Sequence, residues 1–300
     1  MITDYKKFLS PDVVSKLKGM ELKARMVVEG FIAGMHKSPY HGFSVEFAEH
    51  RQYMPGDPIR DIDWKVFAKS DRYYVKRYEE ETNLKAYILL DTSASMGYKS
   101  DDVTDTKFDY ARTLASALSF MMLKQRDAVG LVNFSDKINQ YIPPRSAGGH
   151  LHVLLQQFAQ MQTASTTDLS LPLHEMAERI KRRGLIILIS DLFDDPRKII
   201  SGLKHFRHRN HEVIVFQILD PREKDFGFTG EAIFEDMETG ERITTLPWQI
   251  KKDYIREFTS TSERIAAECR QARVDYYLIN SSTPFDKALY AFLSKREKLY

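Results

Sequence analysis

Apolar residues change their spacing part-way along this chain of 300 residues. From residue 11 to residue 35 they recur every three or four positions, which predicts a helix that buries one face. From about residue 85 onwards, continuous apolar runs alternate with segments of helical spacing. The runs read AYILLD, DAVGLVNFSD, GLIILISD, EVIVFQILD and VDYYLIN. Because strands that are covered on both faces lack polar alternation, this pattern predicts an α/β fold with a doubly wound, mostly parallel sheet.

The stretch before residue 84 has a different character. It is rich in aromatic and charged residues, and turns such as Pro55-Gly56-Asp57 interrupt it. Two pieces of it, VEFAEHRQY and RYYVKRYE, predict strands of a small β-rich insert. We therefore expect an N-terminal helix and β-rich segment in residues 1–83 and an α/β domain in residues 84–300. Within that domain, residues 222–246 alternate around Thr239-Gly240 and predict a β-hairpin excursion.

The composition mainly excludes classes of protein and of binding partner. A formal net charge of +2 gives no overall attraction to nucleic acid or to an anionic membrane. The single cysteine, Cys269, excludes a disulfide framework within the chain. No window approaches the roughly 18 apolar residues of a membrane span, and the first residues lack the apolar core of a signal peptide. We therefore expect a soluble, cytoplasmic protein with no nucleic-acid partner and no membrane span.

Two of the predicted strands that end on an aspartate stand out, because hydroxyl groups follow the first and a threonine loop lies between them in sequence. Asp91 ends AYILLD, Ser93 and Ser95 follow at two-residue steps, and Asp191 ends GLIILISD. In doubly wound sheets, ligands bind beyond the carboxyl ends of the strands. The loop TASTTDLSLPL adds Thr167 just before a predicted helix. We expect Asp91, Ser93, Ser95, Thr167 and Asp191 to converge as hard oxygen ligands for Mg²⁺, for which Mn²⁺ can substitute.

Each hydroxyl also has a simpler explanation. Serine and threonine commonly cap helices or close turns after strands, so a single one indicates no metal site. The interpretation as a metal site depends on the combination of the D-x-S-x-S spacing, the threonine loop and the second strand-terminal aspartate. Further along the chain, Asp194 and Asp195 precede a predicted helix, and we expect one of them to cap it.

The segment DTSASM resembles the metal-ion-dependent adhesion site of von Willebrand factor A domains. The resemblance implies that Ser93, Ser95 and Thr167 ligate the ion, with Asp91 and Asp191 acting mainly through water. The family's Gly-Gly-Thr-Asn loop reads Ser165-Thr166-Thr167-Asp168 here, which leaves Thr166 as an alternative to Thr167.

The phrase PGDPIRDIDW, a short distance before YILLDTSASM, is similar to the signature of the bacterial Domain of Unknown Function 58 family. This resemblance extends from about Gly42 to the final helix and implies a von Willebrand factor A-like domain. Members are typically encoded beside MoxR-type AAA+ ATPases and are taken to be their partners or adaptors. For Arg60, Asp63 and Trp64, the residues leave open a locally packed insert or a docking surface.

Two functions follow as expectations. The first is a non-catalytic, Mg²⁺-dependent protein-interaction module that works with a MoxR-type AAA+ ATPase and holds an acidic residue of a client protein at the metal. The alternative is an Mg²⁺-dependent phosphohydrolase with Asp91 as nucleophile, which resembles the haloacid dehalogenase enzymes. Those enzymes need a carboxylic acid two residues after the nucleophile, where this chain has Ser93, and we find no lysine near the third strand that is well placed to substitute for it. We therefore expect no catalytic residues.

The nine histidines suggest a zinc site only weakly. His205 and His208 share a helical face at three-residue spacing, but no cysteine or third histidine stands at a suitable distance along the chain. We expect these histidines to lie on the solvated surface.

Overall fold

The computed structural model describes residues 20–22, 24–28, 51–52, 64, 67, 73–75, 84–164, 169–237 and 240–297. The chain divides into two compact units, one of Met1–Phe31 with Leu84–Tyr300 and one of Ile32–Asn83. In the smaller unit, Arg51–Gln52 and Tyr74–Val75 pair as short antiparallel strands. The rings of Trp64 and Tyr73 both contact Phe67 there, Trp64 edge-on and Tyr73 stacked. The rest of the PGDPIRDIDW phrase lies outside the described residues.

The larger unit is built on a six-stranded sheet. Its strands, with those of a separate hairpin, are β1 (Lys85–Asp91), β2 (Ala128–Phe134), β3 (Ile138–Arg145), β4 (Leu185–Ser190), β5 (Glu212–Leu219), β6 (Ala232–Glu235), β7 (Arg242–Thr245) and β8 (Asp275–Asn280). The order in the sheet is β8-β5-β4-β1-β2-β3, and every pair is parallel except β2 with β3. This arrangement confirms the predicted α/β fold with a mostly parallel sheet.

Helices connect the strands. They are α1 (Lys107–Lys124), α2 (His150–Gln160), α3 (Ser170–Arg179), α4 (Pro196–His208), α5 (Pro221–Asp225), α6 (Pro247–Gln271) and α7 (Asp286–Glu297). Residues 20–22 and 24–28 are also helical. The Asp195 carboxylate accepts a hydrogen bond from the Arg197 amide, so the capping role predicted for Asp194 or Asp195 is confirmed for Asp195.

Burial explains the continuous apolar runs. In β1, all residues from Ala86 to Asp91 are buried. Tyr87 and Leu89 face a core that contains side chains of α3, α4 and α6. Because side chains alternate along a strand, Ile88 and Leu90 point to the opposite face, on which α1 packs. Helices on both faces remove the polar alternation that a half-exposed strand would show.

One strand of the sheet was not predicted. Strand β3, with the sequence INQYIPPR, lies at the edge and pairs antiparallel with β2 through an irregular register. Its Pro143 and Pro144 lack amide hydrogens, which an edge strand tolerates and a central strand does not. Gly130 of β2 permits this pairing, because a Cβ atom there would lie 2.8 Å from the carbonyl oxygen of Ile142.

Strands β6 and β7 form an antiparallel hairpin within residues 222–246. Phe234 of this hairpin packs on Phe226 and Phe228, and Phe226 in turn packs on Tyr254 of α6. The hairpin is thus anchored by aromatic contacts close to the chain segment from which it departs. Among the described residues, no helix has both the length and the apolar character needed to cross a membrane.

Candidate metal centre at the carboxyl edge of the sheet

The site begins at Asp91, the last residue of the central strand β1. Its side chain is fully buried. One carboxylate oxygen accepts a hydrogen bond from the Ser93 amide at 2.8 Å, and the other accepts one from the Ser190 hydroxyl at 2.5 Å. The chain then enters a short 3₁₀ turn at Ser95–Gly97. These contacts hold the Asp91 carboxylate at the point where β1 turns into the loop.

The hydroxyl groups of Ser93 and Ser95, which follow Asp91 in the chain, lie close together. Ser93 is buried, Ser95 is half-buried, and their Oγ atoms are 3.1 Å apart. Two neighbouring ligands of an octahedral Mg²⁺ ion, each about 2.05 Å from it, would be about 2.9 Å apart. The separation of these hydroxyls therefore fits adjacent positions in such a shell.

The electrostatic environment of Asp91 also fits a bound cation. Burial, together with the nearby negative charge of Asp191, raises the pKa of Asp91 to about 7, although hydrogen bonds from Ser190 and Ser93 oppose the rise. Two carboxylates that repel each other in a buried site are stabilised by a cation between or beside them. The chemistry of the donors and their charge thus fit a divalent metal ion.

Asp191 has a partner that sequence reasoning missed. It directly follows β4, and its carboxylate accepts a hydrogen bond from Lys107 Nζ at 2.8 Å. Lys107 is the first residue of α1 and is completely buried. Its ammonium group also contacts Glu223 of α5 at 2.6 Å. Lys107 therefore lies beside the third predicted strand, a position that the sequence did not reveal, and it is already paired with two carboxylates.

Lys107 remains a cation in this setting. Burial alone would lower its pKa, but the charges of Asp191 and Glu223 more than compensate and raise the pKa above its ordinary value. The sequence contained only a weak signal for this contact, since Lys107 begins a helix, where a positive charge is disfavoured by the helix dipole. Two carboxylates from later elements, the buried Asp191 and the partly buried Glu223, explain the exception.

Thr167 lies outside the described residues, as does its alternative Thr166. The described residues on either side of this loop are attached to the site. The Ala164 amide donates to the Thr92 carbonyl at 2.6 Å, and the Leu169 amide donates to the Asp194 carboxylate at 2.9 Å. Both ends of the loop are thus fixed beside the segments that follow Asp91 and Asp191.

The hairpin also reaches this edge. Met237, which follows β6, lies against the 3₁₀ turn, so that a Cβ atom at Gly97 would be 3.6 Å from Met237 Cε and from the Thr163 hydroxyl. Phe193, two residues after Asp191, is 40% exposed, and its ring lies 4.5 Å from Lys107 Nζ. The edge of the sheet is therefore lined by apolar side chains that solvent can reach.

Comparison with known proteins places this geometry in a family. Residues 49–264 match the family described as "Protein of unknown function DUF58". The chain belongs to the DUF58 family. It is similar to the uncharacterized proteins Rv1480 of Mycobacterium tuberculosis and Mb1516 of Mycobacterium bovis, each 28% identical over 233 residues. These matches cover 77% of this DUF58 chain and 72% of each relative.

Solved structures similar to this DUF58 protein include BatB from Bacteroides thetaiotaomicron, with 18% identity, a TM-score of 0.46 and coverage of 72% of this chain and 99% of BatB. An aerotolerance-related membrane protein from Bacteroides fragilis has 20% identity and a TM-score of 0.47, over 71% of this chain and 99% of the other. The VWA domain of SpRpn10 has 13% identity and a TM-score of 0.40, over 69% and 94% of the two chains. At these TM-scores, the fold is established by the strand order and direction described above.

Proposed function

We propose that this protein is a non-catalytic, Mg²⁺-dependent protein-interaction module. In this role it acts as a partner or adaptor of a MoxR-type AAA+ ATPase in protein-complex assembly or chaperoning. The observation that carries the proposal is the buried Asp91 carboxylate beneath two serine hydroxyls 3.1 Å apart. The choice of partner comes from the resemblance of the sequence to the DUF58 family, whose members are typically encoded beside MoxR-type ATPases.

The metal ion would supply one function, the electrostatic attraction of a carboxylate. Asp91, Ser93, Ser95 and Asp191 would hold it, together with Thr167 or Thr166. Lys107 already offsets part of the charge of Asp191. A bound Mg²⁺ ion would therefore keep more of its positive charge than it would beside two unpaired aspartates. An acidic side chain of a client protein is the partner that such a site attracts.

The contacts of Asp91 do not favour the phosphohydrolase alternative. A phosphoryl-transfer aspartate needs a proton donor for the leaving group, and the position two residues on is occupied by Ser93. The Ser93 hydroxyl is engaged with Ser95, and the Ser93 amide donates to Asp91 itself. Lys107 is committed to two carboxylates. Ser93 therefore holds the Asp91 carboxylate in place, and Lys107 neutralises negative charge at the edge of the sheet.

Calorimetric titration of the full chain with MgCl₂ tests the metal requirement. We expect binding by the wild type and at least a tenfold loss of affinity in the Ser93→Ala, Ser95→Ala double variant. Ser119→Ala is the matched control, because it removes a buried hydroxyl that only bonds to the Ala115 carbonyl within α1. Equal Mg²⁺ binding by the double variant and the wild type would refute the metal site.

The partnership is tested with purified MoxR-type ATPase from the same organism. We expect the immobilised wild-type chain to retain the ATPase in Mg²⁺ buffer and to release it in EDTA, and we expect the double variant to retain little. The ATPase must be kept free of nucleotide, so that EDTA acts only on the chain under test. Retention that is the same with and without metal would show that docking does not use this site.

A further inference from the structure

Away from the sheet edge, two helices bring a pair of histidines into direct contact. His174 of α3 and His205 of α4 have their Nδ1 atoms 2.9 Å apart. Their rings are partly shielded from solvent, and the His205 side chain is 24% exposed. The prediction that placed His205 on the solvated surface beside His208 missed this contact, because the partner comes from another helix 31 residues away.

A glycine permits the close approach of the two helices. A Cβ atom at Gly202 of α4 would lie 2.8 Å from the Leu173 Cβ of α3, closer than real side chains allow. Gly202 precedes His205 by three positions, and Leu173 adjoins His174. The backbones therefore meet next to the two imidazoles, and tight helix packing fixes the distance between them.

The outer nitrogens of both rings also have partners. His205 Nε2 lies 2.9 Å from the Glu178 carboxylate, so this nitrogen carries the hydrogen and donates it. Its Nδ1 is then a free lone pair directed at His174. His174 Nε2 lies 3.4 Å from the Ser201 hydroxyl, which can donate or accept. A carboxylate or hydroxyl behind each imidazole is the arrangement that orients histidines towards a metal ion.

We propose that His174 and His205 form a two-histidine site for a borderline divalent transition-metal ion such as Zn²⁺, completed by water. At present the Nδ1 hydrogen of His174 bridges the two rings. If that hydrogen moves to Nε2, where Ser201 accepts it, both Nδ1 lone pairs face inwards and no proton has to leave the site. Nitrogen ligands on a tetrahedral zinc ion are about 3.3 Å apart, so the rings need to open by only about 0.4 Å.

The charges near the pair select the class of metal. Glu178 also pairs with Arg209, whose guanidinium holds the pKa of that carboxyl below its usual range and offsets its charge. The site thus offers neutral imidazole ligands with little net negative charge, which suits zinc, copper or nickel and not Mg²⁺ or Ca²⁺. In the part of the chain that the structure describes, no group of three or more His, Cys, Asp or Glu is arranged around one metal position. The proposed coordination shell therefore consists of two histidine nitrogens and water.

Titration of the full chain with ZnCl₂ in chelator-free buffer tests this site, followed by calorimetry and by the melting temperature. We expect one zinc ion to bind the wild type, and we expect His174→Ala and His205→Ala each to lower its affinity at least tenfold. Glu178→Gln should weaken binding about tenfold, because it removes the carboxylate behind His205. His208→Ala is the matched control, since it removes an exposed histidine of the same helix and should leave binding unchanged.

Two further comparisons keep the result interpretable. The metal-free melting temperature of each variant shows whether it is folded, and His174→Gln replaces His174→Ala if the alanine variant is not. The Ser93→Ala, Ser95→Ala variant should bind zinc like the wild type, which separates this site from the proposed Mg²⁺ centre. Absence of zinc binding by the wild type, or unchanged binding by His174→Ala, would overturn the proposal.

Discussion

The two ends of the central sheet bury polar groups in opposite ways. At the carboxyl end, Asp91, Asp191 and Lys107 are buried as charged or readily charged groups that depend on one another. At the amino end, His211 is equally buried but neutral. Its Nδ1 accepts from the Gly184 amide at 3.2 Å, and its Nε2 donates to the Ile180 carbonyl at 3.1 Å.

The difference separates a site that can respond to a ligand from a site that completes the fold. His211 satisfies the backbone at the end of α3 and at the start of β4, and it leaves no charge for a ligand to neutralise. At the other end, Asp91 is a carboxylate whose ionisation is unfavourable without a cation nearby. Removing one group at each end should therefore have different consequences.

The largest effect is expected at Lys107. Lys107→Met keeps much of the side-chain volume but leaves Asp191 and Glu223 buried without their cation. Breaking a buried ion pair in this way costs about 3–5 kcal/mol. We expect a loss of that size in the free energy of unfolding, measured by urea denaturation at neutral pH. Lys124→Met, at the other end of the same helix, is the control, and a loss no larger in Lys107→Met would contradict the described network.

A smaller effect is expected at the amino end, from His211→Phe. The change leaves the Gly184 amide and the Ile180 carbonyl without partners, at a cost of about 1 kcal/mol for each unsatisfied group. Urea denaturation at pH 7.5 measures this loss.

The same variant should also change the pH dependence. Burial, the first cause, lowers the pKa of His211 in the folded state. The unfolded chain therefore binds a proton more readily, and the stability that neutral His211 provides is complete above about pH 6.5 and declines as the pH falls towards the lowered value. We expect the loss caused by His211→Phe to shrink between pH 7.5 and pH 5.5. A constant loss, with His208→Ala behaving like the wild type, would mean that His211 does not titrate as described.

The smallest change in stability is expected from Asp91→Asn. Because the pKa of Asp91 is raised to about 7, the metal-free wild type loses stability as the pH rises from about 4 to 7, and asparagine removes that loss. We expect the metal-free variant at pH 8 to be within about 1 kcal/mol of the wild type or more stable. Stabilisation by MgCl₂ should disappear. A variant that MgCl₂ still stabilises would place the metal elsewhere.

Prediction from the sequence succeeded where the physical signal is local. The five continuous apolar runs correspond to the strands β1, β2, β4, β5 and β8. The first four are almost completely buried, and β8, at the sheet edge, is partly buried, so each run is visible in its own stretch of sequence. It failed for β3, because Pro143 and Pro144 argue against a strand unless its place at the edge is known. The cap predicted at Asp194 or Asp195 was also found, at Asp195, because its carboxylate bonds the Arg197 amide only two residues along.

The candidate site likewise combines local contacts, which the sequence predicts, with long-range contacts, which it does not. The spacing of Asp91, Ser93 and Ser95 is a property of one turn, and the sequence alone determined that these oxygens would lie together after β1. Lys107 meets Asp191 and Glu223 from 84 and 116 residues away, and His174 meets His205 from 31 residues away. Such contacts leave no periodicity along the chain, because they arise only when separate helices and strands pack on one sheet. The sequence therefore determined the elements and the local ligand turn, and the tertiary structure decided which charges and imidazoles face each other.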